Sequence, residues 1–246
     1  NIGFIYFDHS SNSLAMLHLL KNKTFMLFFI GNITSLIGFG FNLIAISWMV
    51  LEESGSEYLL GKIMASATAP GLILAIFAGV IIDKVNRKWL LVFLDIFRML
   101  VVIGFLYHIS NNTFELSILY PVAFFMGLGN SLFWPTAQAF VQELVSEKDY
   151  FDANKLLSAS YQVGSILGAG IGGLIVHAFS PVAALWINIL TYLVSAIFIS
   201  LAPFKREKIN TEDKSLYDSI MKGFSYLKSR TDVLILGLTT ILSDVA

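Results

Sequence analysis

Residues 79–108 read GVIIDKVNRKWLLVFLDIFRMLVVIGFLYH. Four charges crowd between Asp83 and Lys88, and then a run from Trp89 to His108 carries only Asp95 and Arg98. Coiled as an α-helix at about 1.5 Å per residue, twenty such residues cover the ~30 Å hydrocarbon layer of a bilayer. The run is continuous rather than alternating, which argues against a barrel strand. A chain in lipid must satisfy its own backbone hydrogen bonds, and a helix does so within one segment. The stretch therefore predicts a basic loop feeding a transmembrane helix that holds an acid and a base.

The same pattern repeats outward from it. Across 246 residues, 56% are apolar and 13% are charged, whereas a soluble domain carries about a quarter charged residues. Membrane-length runs fall at roughly 25–50, 59–82, 89–108, 116–140, 156–179 and 182–202, and a seventh begins near Val233. The expected class is an all-α membrane protein. Its expected segments are 1–24 as an N-terminal cytoplasmic stretch, 25–203 as a six-helix bundle, 204–232 as a cytoplasmic linker, and 233–246 as a shortened seventh helix. In the linker, Leu216, Ile220, Phe224 and Leu227 form one helical stripe with polar and basic residues around it, as in a helix lying on the membrane surface. Asn1 in place of Met, and an end at Ala246 inside an apolar run, lead us to expect a piece of a longer protein.

Basic residues set the expected orientation. Placing the N-terminus inside puts fourteen of the sixteen Lys and Arg on the cytoplasmic side, including Lys84, Arg87, Lys88 and the seven from Lys205 to Arg230. Lys62 and Arg98 are the exceptions, and the first outer loop holds Glu52, Glu53 and Glu57. This asymmetry follows the positive-inside rule. A multi-pass protein of a plasma membrane, the inner membrane of a bacterium, is expected, with the lipid bilayer as a partner.

The loop Gly79-Val-Ile-Ile-Asp83-Lys84-Val-Asn86-Arg87-Lys88 resembles the signature of the major facilitator superfamily, G-x-x-x-D-[RK]-x-G-[RK]-[RK], at the position where that family carries it. Asn86 replaces the usual glycine, and Asn tolerates left-handed backbone better than most residues. Gly79 suits close helix approach, Asp83 can accept from a helix N-terminus, and Arg87 and Lys88 suit an acidic partner or lipid headgroups. The resemblance implies a twelve-helix fold of two six-helix bundles, of which this chain would be the N-terminal one with the start of helix seven. It also implies alternating access by rocking, with the acid of the signature bracing the inner gate against the C-terminal half.

Span five contains Gly164-Ser-Ile-Leu-Gly168-Ala169-Gly170-Ile171-Gly172-Gly173, which resembles the exporter signature G-x-x-x-G-P-x-x-G-G with Ala169 for proline. Small residues at this spacing let helices meet closely, and Ala67, Gly71, Ala75 and Gly79 repeat the pattern in span two. In the family, both spans line the interface between bundles. The segment from Phe133 to Gly173 further resembles the macrolide-efflux and enterobactin-exporter branch.

Inside the membrane, Asp95 and Arg98 stand at i,i+3, where they share a face and can pair. Intramembrane charges are costly and usually functional, so they are expected either to brace the loop signature or to couple transport to protons. Asp244, in span seven, is a further proton candidate. Two stripes are expected to line a solute cavity or, alternatively, to bond neighbouring helices: Asn32, Ser35, Phe39 and Asn42 in span one, and Asn130, Trp134 and Gln138 in span four.

Other chemistries find little support. Gly55 to Lys62 lacks the Ser or Thr and the glycine spacing of a phosphate loop. The four histidines make no H-E-x-x-H pair, there is no cysteine, and no potassium-filter sequence occurs. No catalytic residue, cofactor, metal or nucleic-acid partner is expected. The expected activity is secondary transport, a proton-coupled efflux of a drug-like or siderophore-like small molecule, as in antiport and multidrug resistance. A uniporter or importer of the same fold, and a channel or receptor of another class, remain alternatives.

Overall fold

A computed structural model describes residues 18–74 and 77–205. The expected linker 204–232 beyond Lys205, the seventh helix with Asp244, and most of the N-terminal segment lie outside the described residues. Among those described, the order is α1 (Lys23–Ser54), α2 (Glu57–Leu74), α3 (Ala78–Lys84), α4 (Arg87–Asn111), α5 (Leu119–Leu144), α6 (Tyr150–Ala178) and α7 (Pro181–Leu201), with short 3₁₀ turns before α5 and α6.

Local chemistry sets the helix boundaries. Asn22 caps α1 by accepting from the Thr24 and Phe25 amides, and Gly55 ends it in the left-handed conformation at φ 61°. Such a C-terminal glycine has no β-carbon to clash. Ser180 caps α7 and Pro181 opens it, where proline's missing N–H costs nothing. Asn86 lies at φ −73°, ψ 110° and accepts from the Trp89 amide. The glycine-like role expected of Asn86 is therefore corrected: the backbone is extended there and the residue is a helix cap.

Five helices are long and apolar enough to cross a membrane, and α2 with α3 makes a sixth if the pair is one span. Span two is thus not the continuous helix expected over 59–82. It is two helices inclined at 65°, with Pro70 removing a backbone N–H one turn before the break. Pro135, by contrast, sits inside an uninterrupted α5.

Packing follows a three-plus-three symmetry. Helix α1 packs on α6 and α7, α5 packs on α2 and α4, and α4 packs on α7. Exchanging spans one, two and three for four, five and six leaves this set of contacts unchanged. Two apolar cores result: Phe25, Phe28, Leu91, Phe140 and Ile199 anchor one, and Val50, Ile63, Phe105, Leu119 and Leu185 the other. Along α1, α4, α5 and α7 a polar layer interrupts the passage from one core to the other, at Asn32 and Ser35, Asp95 and Arg98, Asn130, and Ser195. Outside the bundle, Phe93, Leu100, Trp186 and Leu190 are exposed, an apolar surface suited to lipid.

Candidate functional site

The polar layer is built around one ion pair. Arg98 Nη2 contacts Asp95 Oδ1, and both side chains are buried. Ser35 Oγ donates to Asp95 Oδ1 at 2.8 Å and accepts from Arg98 Nη2 at 2.9 Å. Ser195 Oγ donates to Asp95 Oδ2 at 2.6 Å. Arg98 Nη1 donates to Asn130 Oδ1 at 2.8 Å, and its Nε donates to the Leu94 carbonyl at 3.3 Å. The guanidinium also stacks near the rings of Phe133, at 4.2 Å, and Tyr192, at 4.6 Å. A buried ion pair must recover its desolvation through such added hydrogen bonds, and four helices supply them here.

Two cavities open beside this layer. The larger, about 530 Å³, is lined by Phe39, Arg98, Asn130, Phe133, Trp134 and Gln138, together with Leu36, Ser158, Tyr161 and Gln162. The second, about 410 Å³, lies between α1, α2 and α5, with Asn42, Met64, Gly71, Val122 and Met126 in its walls. Phe39 and Asn130 line both. The volumes fall within the ~300–1,000 Å³ range of small-molecule sites. Apart from Arg98, which reaches in from span three, the walls come from spans one, two, four and five.

The expected stripes divide on inspection. Phe39, Asn42, Asn130, Trp134 and Gln138 line cavities. Asn32 and Ser35 do not: Asn32 Nδ2 donates to Ser160 Oγ at 2.9 Å across to α6, and Ser35 serves the ion pair. Helical spacing placed all four span-one residues on one stripe, but α6 and α7 cover its inner end. Trp134 packs against Tyr161 with ring centroids 5.0 Å apart and planes tilted by 57°, a partner on α6 that the span-four stripe did not reveal.

The loop signature is more inward-turned than expected. Lys88 is buried and donates to the Ala202 carbonyl at 2.7 Å, so it closes the C-terminal end of α7 rather than meeting headgroups. Arg87 finds its acidic partners within the chain, Glu143 Oε1 at 2.8 Å and Asp83 Oδ1 at 2.8 Å. Asp83 and Lys84 remain largely outward, with Asp83 70% exposed. No described atom comes within 4 Å of a β-carbon placed on Gly79, so the close approach expected there is not made by these helices.

Of the span-five glycines, Gly164, Gly168 and Gly172 press on α1, against Leu36, Gly40 and Phe41. Gly170 and Gly173 face open space. The close helix approach expected of these small residues is made within this bundle along one helical face of the signature. Several close-packed glycines escaped the sequence reading, among them Gly40, Gly127 and Gly129. Gly40 is the counterpart of Gly168, Gly127 packs on the Ala67 backbone, and Gly129 gives room to the Arg98 stem. Each stands in an apolar run and outside any longer signature. The local signal that could have found them is a pair of glycines two apart within a span, Gly38-Phe-Gly40 and Gly127-Leu-Gly129.

Comparison with known proteins fits this geometry. A family model described as transmembrane secretion effector matches residues 14–240. The chain belongs to this family of major facilitator transporters. Among curated relatives, the BacE protein of Bacillus amyloliquefaciens, provisionally named a bacilysin exporter, is 26% identical over 187 residues, 76% of this chain and 47% of the relative. The MFS-type transporter YfiS of Bacillus subtilis (strain 168) is 29% identical over 185 residues, 74% of this chain and 43% of the relative. The multidrug efflux pump Tap of Mycolicibacterium fortuitum is 23% identical over 216 residues, 82% of this chain and 51% of the relative. The chain thus spans about half the length of the curated relatives it matches. It is the N-terminal half of a major facilitator fold, with several helices long and apolar enough to cross a membrane.

Proposed function

We propose that the chain forms the N-terminal wall of an exporter that moves a small, partly apolar solute out of the cytoplasm by alternating access. The observation that carries this is the pair of adjoining cavities walled by spans one, two, four and five, joined at Phe39 and Asn130. Rocking two bundles about such a surface exposes it to each side in turn. The solute is drug-like or siderophore-like in character, and the names of the relatives, an exporter and a multidrug pump, support export over uptake.

Protons are the proposed coupling ion. The clustering of basic residues supports an N-terminus on the cytoplasmic face of the bacterial inner membrane. The C-terminal half of the same protein is the proposed partner across the cavities, with Asp83 and Gly79 turned toward it. Asp95 and Arg98 act first as the brace between the two three-helix repeats, since α1, α4, α5 and α7 all bond to the pair.

The test is dye efflux from cells expressing the chain together with its complementary half. Export should build an outward gradient that a protonophore abolishes. Equilibration without accumulation, unaffected by the protonophore, would make the protein a uniporter.

A further inference from the structure

The two cavities differ in chemistry, and the difference bears on what they hold. In the larger one the polar wall is made of amides and hydroxyls, and its charged member is Arg98; among the described residues no Asp or Glu lines it. Asp95 is turned away. It is wholly buried, it does not line the cavity, and its two oxygens are taken by Ser35, Ser195 and Arg98. Seen from the cavity, the ion pair is a dipole with its positive end in the wall.

Asn130 adds to this. Its Oδ1 accepts from Arg98, which leaves the NH₂ group as a donor only. The adjoining cavity is mostly apolar, with Ile46, Met64, Val122 and Met126. A cation entering the larger cavity would leave water and meet no counter-charge on this wall, which is costly. A carboxylate would meet the one Arg98 N–H not already bonded, on Nη1, beside the NH₂ of Asn130.

We infer that this half of the path recognises amphiphilic carboxylates, the anionic head toward Arg98 and Asn130 and the apolar body toward Met64 and Met126. The inference rests on the export reading, because it takes these cavities as the solute path.

Three fluorescent probes test it on the 246-residue chain in phosphatidylcholine nanodiscs: dansyl-phenylalanine, its carboxamide, and the amine dansyl-cadaverine. The acid should bind at least tenfold more tightly than the amide, and the amine most weakly. Gln138→Glu, at an exposed position of the cavity wall, should weaken the acid at least tenfold and strengthen the amine. The paired variant Asp95→Asn with Arg98→Gln should bind acid and amide alike. Should that variant fail to fold, Gln138→Glu still decides, because it leaves the buried pair intact.

Equal binding of acid and amide by the wild type, or an unchanged order in Gln138→Glu, overturns the inference. So does loss of acid binding when phosphatidylglycerol replaces part of the phosphatidylcholine, which would make this an anionic-lipid site. Efflux of all three probes alike, with the complementary half present, overturns the inference and leaves export standing. Acid-selective binding without any efflux does the reverse.

Discussion

Gly40 and Gly168 meet backbone to backbone: a β-carbon on Gly40 would lie 2.6 Å from Gly168 Cα, and one on Gly168 would lie 2.6 Å from the Ile37 carbonyl oxygen. The symmetry-related crossing of α5 on α2 is equally tight, since a β-carbon on Gly127 would overlap the Ala67 carbonyl. Helix association in lipid depends on such contact, because lipid tails are as apolar as the side chains. Gly168→Ala should therefore destabilise the bundle by about 1–3 kcal/mol, the usual cost of overpacking. Gly170→Ala and Gly173→Ala, which enter open space, should be neutral or gain about 0.5–1 kcal/mol from helix propensity. Thermal unfolding in detergent separates the two groups, and equal melting of Gly168→Ala and Gly173→Ala would show that α1 and α6 do not cross there.

Removing one member of the buried pair should be worse than removing both. Arg98→Met strands the Asp95 carboxylate among Ser35 and Ser195, and a broken buried pair costs about 3–5 kcal/mol. Asp95→Asn combined with Arg98→Met should recover much of this. A double-mutant cycle on unfolding free energy reads the coupling directly. A double variant no more stable than Arg98→Met alone would mean that the carboxylate is well satisfied without the guanidinium.

Gly129 holds the Arg98 stem in place by having no side chain. A β-carbon there would stand 2.6 Å from Arg98 Cγ and 2.9 Å from Cδ. Gly129→Ala should push the guanidinium off Asn130 and reduce any preference for anionic probes several-fold, while costing about 1–3 kcal/mol of stability. Probe binding and melting measured on the same preparation check both halves. An unaltered acid-to-amide ratio would show that Arg98 reaches the cavity from elsewhere.

Asp83→Asn should leave insertion and abundance near normal. Its bond to Arg87 is an exposed i,i+4 pair, and such pairs contribute at most about 1 kcal/mol. Arg87 also keeps Glu143, whose side chain is only 15% exposed. Strong loss of efflux in Asp83→Asn, at equal protein level, would support a gating role for Asp83. Wild-type efflux would remove Asp83 from the gate.

The absence of cysteine allows single-cysteine labelling. Trp134→Cys and Gln138→Cys should react with water-soluble maleimide and be protected by a transported solute. Asn32→Cys, buried against Ser160, should not react. Reactivity at position 32 equal to that at 138 would place the span-one stripe in the cavity after all.

What the sequence determined by itself is what lipid reads along one dimension. A bilayer demands long apolar runs and internally bonded backbone, so the spans, the helical class and the family likeness follow from residues in order. The basic residues at the loops and the i,i+3 pairing of Asp95 with Arg98 belong to the same local logic. Tertiary structure alone decided which face of each helix is covered. Asn32 and Phe39 share a stripe, yet α6 takes one and the cavity the other. Lys88 resembles a headgroup anchor until the end of α7 is brought within 2.7 Å of it. Gly170 and Gly172 are alike in the chain and differ only because α1 crosses one of them. Helix periodicity fixes what shares a face, but the identity of the neighbour depends on how close two backbones can come, and that is settled only when all the spans pack together.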